Sequence, residues 1–236
     1  TSFDVPNVAA LAPVTTRRLF RNDETVPIEA IMTLPMPVHA ALFALEARID
    51  GRRLKASAQR KVRAREIYEA AVQAGKGAVL HEEVLRGIHT VSVANLGPGA
   101  QVELVTRWAL PLAVVGGRGR LRIPLTVGDV YGCSGLTEPD ELLANGRGGQ
   151  RAALTITHAG GDVMVTGASL IDGRAEMPLN RPIDISVPIW PAATLSGAMA
   201  DGRRVELGIL PATEGAASVR LALLLDCSGS MTSRFS

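Results

Sequence analysis

Residues 57–75 constrain the fold more than any other stretch, because they form the single convincing helix in a chain otherwise patterned as short strands. Their sequence is SAQRKVRAREIYEAAVQAG. Ser57 is the expected N-cap, and Gly75 is expected to close the helix in a left-handed conformation. One amphipathic helix can bury its apolar stripe only against a sheet, so the flanking strands must supply that sheet. The stripe consists of Ala64, Ile67, Tyr68, Ala71 and Val72.

Short alternating segments separated by turn residues predict a mainly β fold. Asp50-Gly51 predicts a tight hairpin turn, and Pro98-Gly99 predicts a second turn. Several short antiparallel strands with one packed helix indicate a β-sandwich. Strand patterns occupy residues 15–21, 27–34, 41–49, 52–56, 78–84, 88–95, 101–110 and 120–125.

The composition changes after this first region. Residues 132–150 are rich in Gly, Ser, Glu, Pro and Asp, which predicts a linker or a long surface loop. Strand patterns return afterwards, so residues 151–218 are predicted to form a second β region, distinct from the first. The apolar run VRLALLL at 219–225 is typical of a central parallel strand, because helices cover both faces of such a strand.

Charge, cysteines and motifs exclude several function classes. A formal net charge of +2 gives no overall attraction to nucleic acid or to a membrane surface. Cys133 and Cys227 are too few and too far apart for a disulfide framework or a metal cluster. No apolar run reaches the ~18–20 residues of a membrane-spanning helix. No nucleophile elbow, phosphate loop or histidine pair at metal-ligand spacing is present, so we expect no active site.

Seven cations precede and enter the helix. They are candidates for binding an acidic partner or a phosphate backbone. No aromatic residues interleave with them, as single-strand binding would require, so the favoured interpretation is a solvated hairpin and helix face. The cluster consists of Arg52, Arg53, Lys55, Arg60, Lys61, Arg63 and Arg65.

Four motifs, in this order and spacing, resemble the VIT domain shared by vault-associated proteins and inter-alpha-trypsin inhibitor heavy chains. The motifs are PIEAIMTLPMP, FALEARIDGRRL, AREIYEAAVQAGKGAVL and HTVSVANLGPGAQVEL. The resemblance runs from about Val14 to Tyr131, and we assign residues 1–131 to this domain. Met32-Thr33 and Ile88 depart from it, since aromatic residues are expected there. The composition, rich in arginine and alanine, suggests a bacterial member.

The polar residues after the last apolar run carry a second resemblance. Asp226, Ser228 and Ser230 lie where open α/β sheets bind ligands, at the carboxyl end of a strand. Hard oxygen donors suit Mg²⁺, with Mn²⁺ or Ca²⁺ as substitutes. Their D-x-S-x-S spacing resembles the opening of a von Willebrand factor type A (VWA) domain and its metal-ion-dependent adhesion site. The simpler alternative is a serine-rich turn. On the resemblance, residues 219–236 begin a truncated α/β VWA domain.

Together the resemblances imply a non-enzymatic module for protein–protein interaction or adhesion. In an intact VWA domain, Mg²⁺ would bind an acidic residue of a protein partner, and nucleic acid is not an expected partner. The family pattern also needs a threonine and an aspartate from later loops, which these 236 residues do not include, so this chain alone is expected not to bind Mg²⁺ tightly. The alternative is a structural scaffold component of a larger assembly without metal-dependent binding. An extracellular or cell-envelope location is slightly favoured over the cytoplasm.

Overall fold

The computed structural model describes residues 1–6, 11–125, 151–157, 162–179, 181–188, 193–198 and 202–209. Within these ranges the chain is mainly β with one helix, as the sequence predicts. The elements are β1 (Ser2–Val5), β2 (Leu11–Arg21), β3 (Ile28–Pro35), β4 (Ala41–Ile49), β5 (Arg52–Lys55), α1 (Lys61–Gln73), β6 (Ala78–Leu85), β7 (Ile88–Leu96), β8 (Gln101–Pro111), β9 (Ala113–Val115), β10 (Arg118–Ile123), β11 (Arg151–Ile156), β12 (Met164–Val165), β13 (Arg174–Pro178), β14 (Ile183–Pro188), β15 (Ala193–Ala198) and β16 (Arg204–Ile209).

The described strands form four sheets. A seven-stranded sheet has the order β13-β11-β1-β2-β8-β4-β5, and a three-stranded sheet has the order β3-β7-β6. A four-stranded sheet has the order β12-β14-β10-β9, and β15 with β16 forms a hairpin. All pairings are antiparallel except that of β1 with β11. The long strands β2 and β8 pair along their whole lengths and so form the centre of the seven-stranded sheet.

Two hydrophobic clusters lie on the inner face of the seven-stranded sheet. One packs it against the four-stranded sheet and contains Phe3, Trp108 and Ile185 among others. The second packs it against the three-stranded sheet and contains Leu34, Val93 and Leu104. Strands β2 and β8 therefore contribute to both clusters, one at each end.

Strand pairing corrects the prediction that the second β region is distinct from the first. Strand β11 adds in parallel to β1, and β14 pairs with β10. Phe3, Leu154 and Met177 share one hydrophobic cluster. The described strands between 151 and 188 thus complete the sheets of the N-terminal region, because β1 would otherwise present an unpaired edge. The predicted linker at 132–150 and the VWA start at 219–236 lie outside the described residues.

The ends of α1 confirm one predicted cap and correct the other. The N-cap is Arg60, which makes no side-chain capping hydrogen bond, so the prediction of Ser57 is wrong. Gly75 adopts a φ of +65° as predicted. Its N–H donates to Val72 O at 3.0 Å, and the Lys76 N–H donates to Ala71 O at 2.9 Å. These two bonds form a Schellman motif that satisfies carbonyls of the last turn.

One side of α1 packs on the three-stranded sheet, mainly on β6. Tyr68 is buried as predicted, but Ile67 is 48% exposed, which corrects the prediction that both are buried. The helix faces the sheet with Ala64, Tyr68, Ala71 and Val72, and Ile67 falls just outside this narrower stripe. The Tyr68 hydroxyl donates to Glu29 Oε1 at 2.5 Å, so the buried phenol has a charged acceptor.

Candidate functional site

The predicted metal ligands Asp226, Ser228 and Ser230 lie outside the described residues, so that site stays a prediction. Among the residues that the structure describes, no group of three or more His, Cys, Asp or Glu side chains is arranged to hold a metal ion. The surface that does combine a cavity, open backbone and charge is on the side of the molecule where β5 and β6 lie.

A groove of about 200 Å³ separates the outer strands of two sheets. β5 ends the seven-stranded sheet, β6 ends the three-stranded sheet, and each pairs with only one described strand. Both therefore leave one row of backbone donors and acceptors without a partner strand among the described residues. Most of the lining residues are apolar, but polar atoms contribute about half of the exposed surface of the groove. The groove is lined by Leu45, Ala47, Leu54, Lys55, Ala56, Gly77, Ala78 and Val79.

The local sequence explains why the groove stays open. Asp50 and Gly51 both have positive φ, at 48° and 82°, which confirms the predicted tight hairpin, and the β5 strand that follows is only four residues long. The exposed segment 56–60 then leads to α1, which lies on the sheet that β6 ends. The small residues Ala56, Gly77 and Ala78 leave the space between the two strands unfilled.

The seven cations of the predicted basic cluster are all exposed, which confirms the solvated face. Three of them have carboxylate partners. Arg53 meets Glu46 at 2.6 Å, Arg63 meets Glu66 at 3.1 Å, and Arg65 meets Glu82 at 2.8 Å. The other four, Arg52, Lys55, Arg60 and Lys61, form no ion pair with any residue that the structure describes. Lys55 lines the groove, and the other three lie within a few residues of it in the sequence.

The beginning of α1 adds to this positive potential. The first turn of the helix contains no acidic residue, and its N-cap, Arg60, has no side-chain acceptor to cap the free backbone N–H groups. A helix N-terminus carries a partial positive charge that carboxylates normally balance. Ala56, which lines the groove, precedes this helix start by a few residues. Cations and the helix dipole have the same sign there, and an anionic partner would relieve this repulsion.

A histidine pair occupies the inner face of the three-stranded sheet. His81 on β6 and His89 on β7 stack with ring centroids 5.0 Å apart and an angle of 12° between the ring planes. His81 Nε2 and His89 Nδ1 are buried and have no hydrogen-bond partner among the described residues. Burial, followed by the neighbouring His89, lowers the pKa of His81 to about 4. No sequence motif marks this pair, because the two rings meet only through the pairing of β6 with β7.

Comparison with known proteins identifies the first part of the chain. Residues 2–107 match the family model described as the vault protein inter-alpha-trypsin domain, abbreviated VIT. Residues 2–107 are a VIT domain. The match begins before the predicted Val14 and ends before the predicted Tyr131. It contains the helix, the groove and the whole basic cluster.

Relatives of the VIT domain belong to much longer proteins. The chain is 38% identical over 101 residues to mouse von Willebrand factor A domain-containing protein 5A, covering 41% of this chain and 13% of that protein. It is 32% identical over 120 residues to human protein mono-ADP-ribosyltransferase PARP4, covering 51% of this chain and 7% of that protein. The chain thus spans a small fraction of these relatives. Together with the VIT match, they indicate a protein-interaction module.

Similarity to solved structures is weaker. Yeast leukotriene A4 hydrolase in complex with bestatin matches with a TM-score of 0.38 and 9% identity, covering 82% of this chain and 28% of that chain. The major pilin subunit BcpA of Bacillus cereus matches with a TM-score of 0.31 and 12% identity, covering 93% and 66%. Neither similarity is strong enough to support a functional argument. In the part of the chain that the structure describes, no helix is sufficiently long and apolar to cross a membrane.

Proposed function

We propose that this chain is a non-enzymatic protein-interaction module whose VIT domain binds an extended acidic segment of a partner protein in the groove between β5 and β6. The observation that carries the proposal is the coincidence of this groove with cations that lack described carboxylate partners. The groove offers contact area, and Lys55 in its lining, with the cations near it in sequence, selects the sign of the partner.

The backbone of β6 supports an extended conformation of the partner. Its outer edge faces away from β7, and this edge is eight residues long. A peptide that adds to such an edge gains main-chain hydrogen bonds, and alternate side chains of the peptide enter the groove. Apolar side chains of the peptide would contact Leu54 and Val79, while its acidic side chains would point toward the rim.

The charges support an acidic partner. Lys55 lines the groove itself, and Arg52 lies on the same short strand. Arg60 and Lys61 lie at the beginning of α1, four or five residues after Ala56. Carboxylates near these side chains would gain attraction that is weakened by salt, because the cations are exposed.

The test measures binding of a fluorescein-labelled octapeptide with alternating Glu and Val or Thr residues by fluorescence anisotropy. Its length matches β6. We expect saturable binding that weakens with added salt. Lys55→Glu, and separately Ala56→Trp to fill the groove, should each reduce the affinity by about tenfold or more, a loss near 1.4 kcal/mol. Arg120→Glu, an exposed cation on β10, is the matched control and should leave binding unchanged.

Two modified peptides separate the contributions. A peptide with Lys in place of Glu tests charge, and a peptide with N-methylated backbone amides tests strand addition. Both should bind at least about tenfold more weakly. Equal binding of the acidic and basic peptides would contradict the proposal, and so would unchanged affinity of the Ala56→Trp variant.

For the intact protein we further propose metal-dependent adhesion through a VWA domain. Its support is the D-x-S-x-S motif in a chain whose relatives include a protein named for its VWA domain. Asp226, Ser228 and Ser230 would hold Mg²⁺, which would offer a coordination position to an acidic residue of the partner. Partner binding by the full-length protein should be lost in EDTA and in Asp226→Ala. Binding that persists in both would favour the structural-scaffold alternative.

A further inference from the structure

The stacked histidines lie on the same strand as one wall of the groove. Side chains alternate along β6, so His81 shares the inner face of its sheet with Val79, which lines the groove. Strand pairing places His81 opposite Val91, which is buried in the second hydrophobic cluster. The packing of this face against the cluster therefore holds both the histidine and the groove wall in place.

The packed pair has no place for an added proton. The rings of His81 and His89 stack with centroids 5.0 Å apart and 12° between the ring planes. His81 Nε2 and His89 Nδ1 are both buried and have no acceptor among the described residues. A proton added to either nitrogen would create a buried charged donor that makes no hydrogen bond. The closed arrangement of β6 on β7 thus favours two neutral rings.

The two carboxylates nearest in sequence are bonded to other groups. Glu83 Oε1 accepts a hydrogen bond from the Gly87 backbone N–H at 2.9 Å. Glu82 Oε1 accepts from Arg65 Nε at 2.8 Å, on the face of the sheet that carries α1. Neither carboxylate forms a hydrogen bond with His81 Nε2.

The other elements around the pair present apolar or positive side chains. Strand β3 places Leu34 opposite His89. The seven-stranded sheet contributes Arg18 of β2, which lines a small cavity together with Leu34, and Lys55 of β5, which lines the groove. A proton on the pair would add to these positive charges. Consistent with this, burial and then His89 lower the pKa of His81 to about 4, although Glu82 and Glu83 act to raise it.

We propose that the histidine pair is an acid-sensitive switch for the groove, in which protonation of His81 or His89 opens β6 and releases the bound acidic segment. The inference rests on the proposed function, because it names the condition under which the same groove loses its ligand. Strand β6 pairs with only one described strand, so opening it locally costs less than unfolding the domain. The apparent affinity falls with the fraction of molecules in which β6 is closed.

The direction of the pH response follows from proton linkage. Opening β6 returns His81 toward its ordinary pKa of 6.5, whereas the closed strand holds it at about 4. Between these two values the open state binds more protons than the closed state. The groove is therefore closed and competent above about pH 6.5, and the ligand is released as the pH falls toward 4. By the same linkage, a bound peptide opposes protonation of the pair.

Peptide binding at pH 7.5 and pH 5.0 tests the switch by fluorescence anisotropy. Cysteic acid replaces Glu in the octapeptide and rhodamine replaces fluorescein, so neither the charge nor the label titrates in this range. We expect the affinity to be at least about fivefold lower at pH 5.0. A double variant, His81→Phe with His89→Phe, keeps two stacked rings and should bind equally at both pH values. His39→Phe, at an exposed histidine outside the pair, is the matched control and should retain the response.

Hydrogen exchange of the free parent chain gives a second readout that needs no variant. After correction for the intrinsic exchange rate, the β6 amides should open more often at pH 5.0 than at pH 7.5. Equal peptide affinity at the two pH values in the parent would overturn the switch and leave the proposed function standing. A pH response that persists in the double variant, or β6 exchange that is independent of pH, would overturn it equally. Failure of the peptide to bind even at pH 7.5 would overturn both.

Discussion

Arginines on the two faces of the seven-stranded sheet differ in whether they have carboxylate partners. On the outer face, Glu103 lies between Arg17 at 3.1 Å and Arg48 at 3.4 Å. Glu46 has the same arrangement, with Arg53 at 2.6 Å and Arg107 at 3.1 Å. On the inner face, Arg18 has no carboxylate partner among the described residues. Arg17 and Arg18 are adjacent on β2, yet Arg17 has a carboxylate partner and Arg18 has none among the described residues.

The difference shows that the contribution of a charged group to stability depends on its partner as well as on its burial. Outer-face pairs are accessible to water, so each contributes little to stability and can be rearranged at low cost. A charge without a partner on the inner face is costlier, because water and counter-charges reach it less easily. The groove rim is an intermediate case, because Lys55 and its neighbours are exposed and without described carboxylates. These cations can therefore attract the carboxylates of a binding partner.

Tyr68→Ala extends the comparison to the helix and has the largest expected effect. Tyr68 is 9% exposed, whereas its neighbour Ile67 is 48% exposed. Truncating a buried aromatic side chain costs about 3–5 kcal/mol, and Ile67→Ala should cost less than about 1 kcal/mol. Urea denaturation of the two variants measures both values. Similar losses for both residues would refute the assignment of Tyr68 to the buried side.

Leu104→Ala tests the sheet itself. Leu104 is 1% exposed on the inner face and faces the second hydrophobic cluster. Its truncation should destabilise the fold by about 2–5 kcal/mol, since the cavity can collapse only in part. Glu103→Gln, the next residue on the outer face, is the control and should cost much less. If the same denaturation showed that Glu103→Gln lowers stability more than Leu104→Ala does, the inner face would not be the main source of stability.

His81 makes stability depend on pH. Its folded pKa, about 4, lies below the ordinary value of 6.5, so the unfolded state binds more protons between these two values. Stability is therefore present above about pH 6.5 and falls as the pH drops toward 4. The loss should reach about 1–2 kcal/mol after allowance for partial exposure. Denaturation at a series of pH values measures it.

His81→Phe is the matching variant, because it keeps a stacked ring and removes the titrating group. The pKa of His89 is also lowered by burial, so part of the pH dependence should remain in this variant. A pH profile identical to that of the parent would show that His81 does not titrate as inferred.

Glu46→Gln should have the smallest effect. Hydrogen bonds from Arg53 and then from Arg107 lower the pKa of Glu46, so its contribution is present at neutral pH and lost as the pH falls through its folded pKa. Because the two arginines are well exposed, the stability difference between parent and variant should be smaller in about 1 M salt than at low salt. A difference that grows with salt would contradict the electrostatic origin of this contact.

The sequence identified features whose cause is local. The helix between 61 and 73, the left-handed Gly75 and the hairpin at Asp50-Gly51 follow from spacing and backbone preference. The VIT motifs were also recognised from their order, although strand β1, at the beginning of the match, was not predicted. Four residues with one apolar alternation carry too little pattern to distinguish a strand from a loop.

Tertiary structure decided everything that depends on contacts between distant residues. The parallel addition of β11 to β1 joins residues about 150 positions apart, and no local pattern encodes which edge a strand will choose. The same applies to the helix stripe, where the sheet covers Tyr68 but not Ile67. Seven adjacent cations appear equivalent in the sequence, yet only Arg53, Arg63 and Arg65 meet carboxylates. Propensity acts within a few residues, whereas burial and charge compensation are set by neighbours that folding brings together.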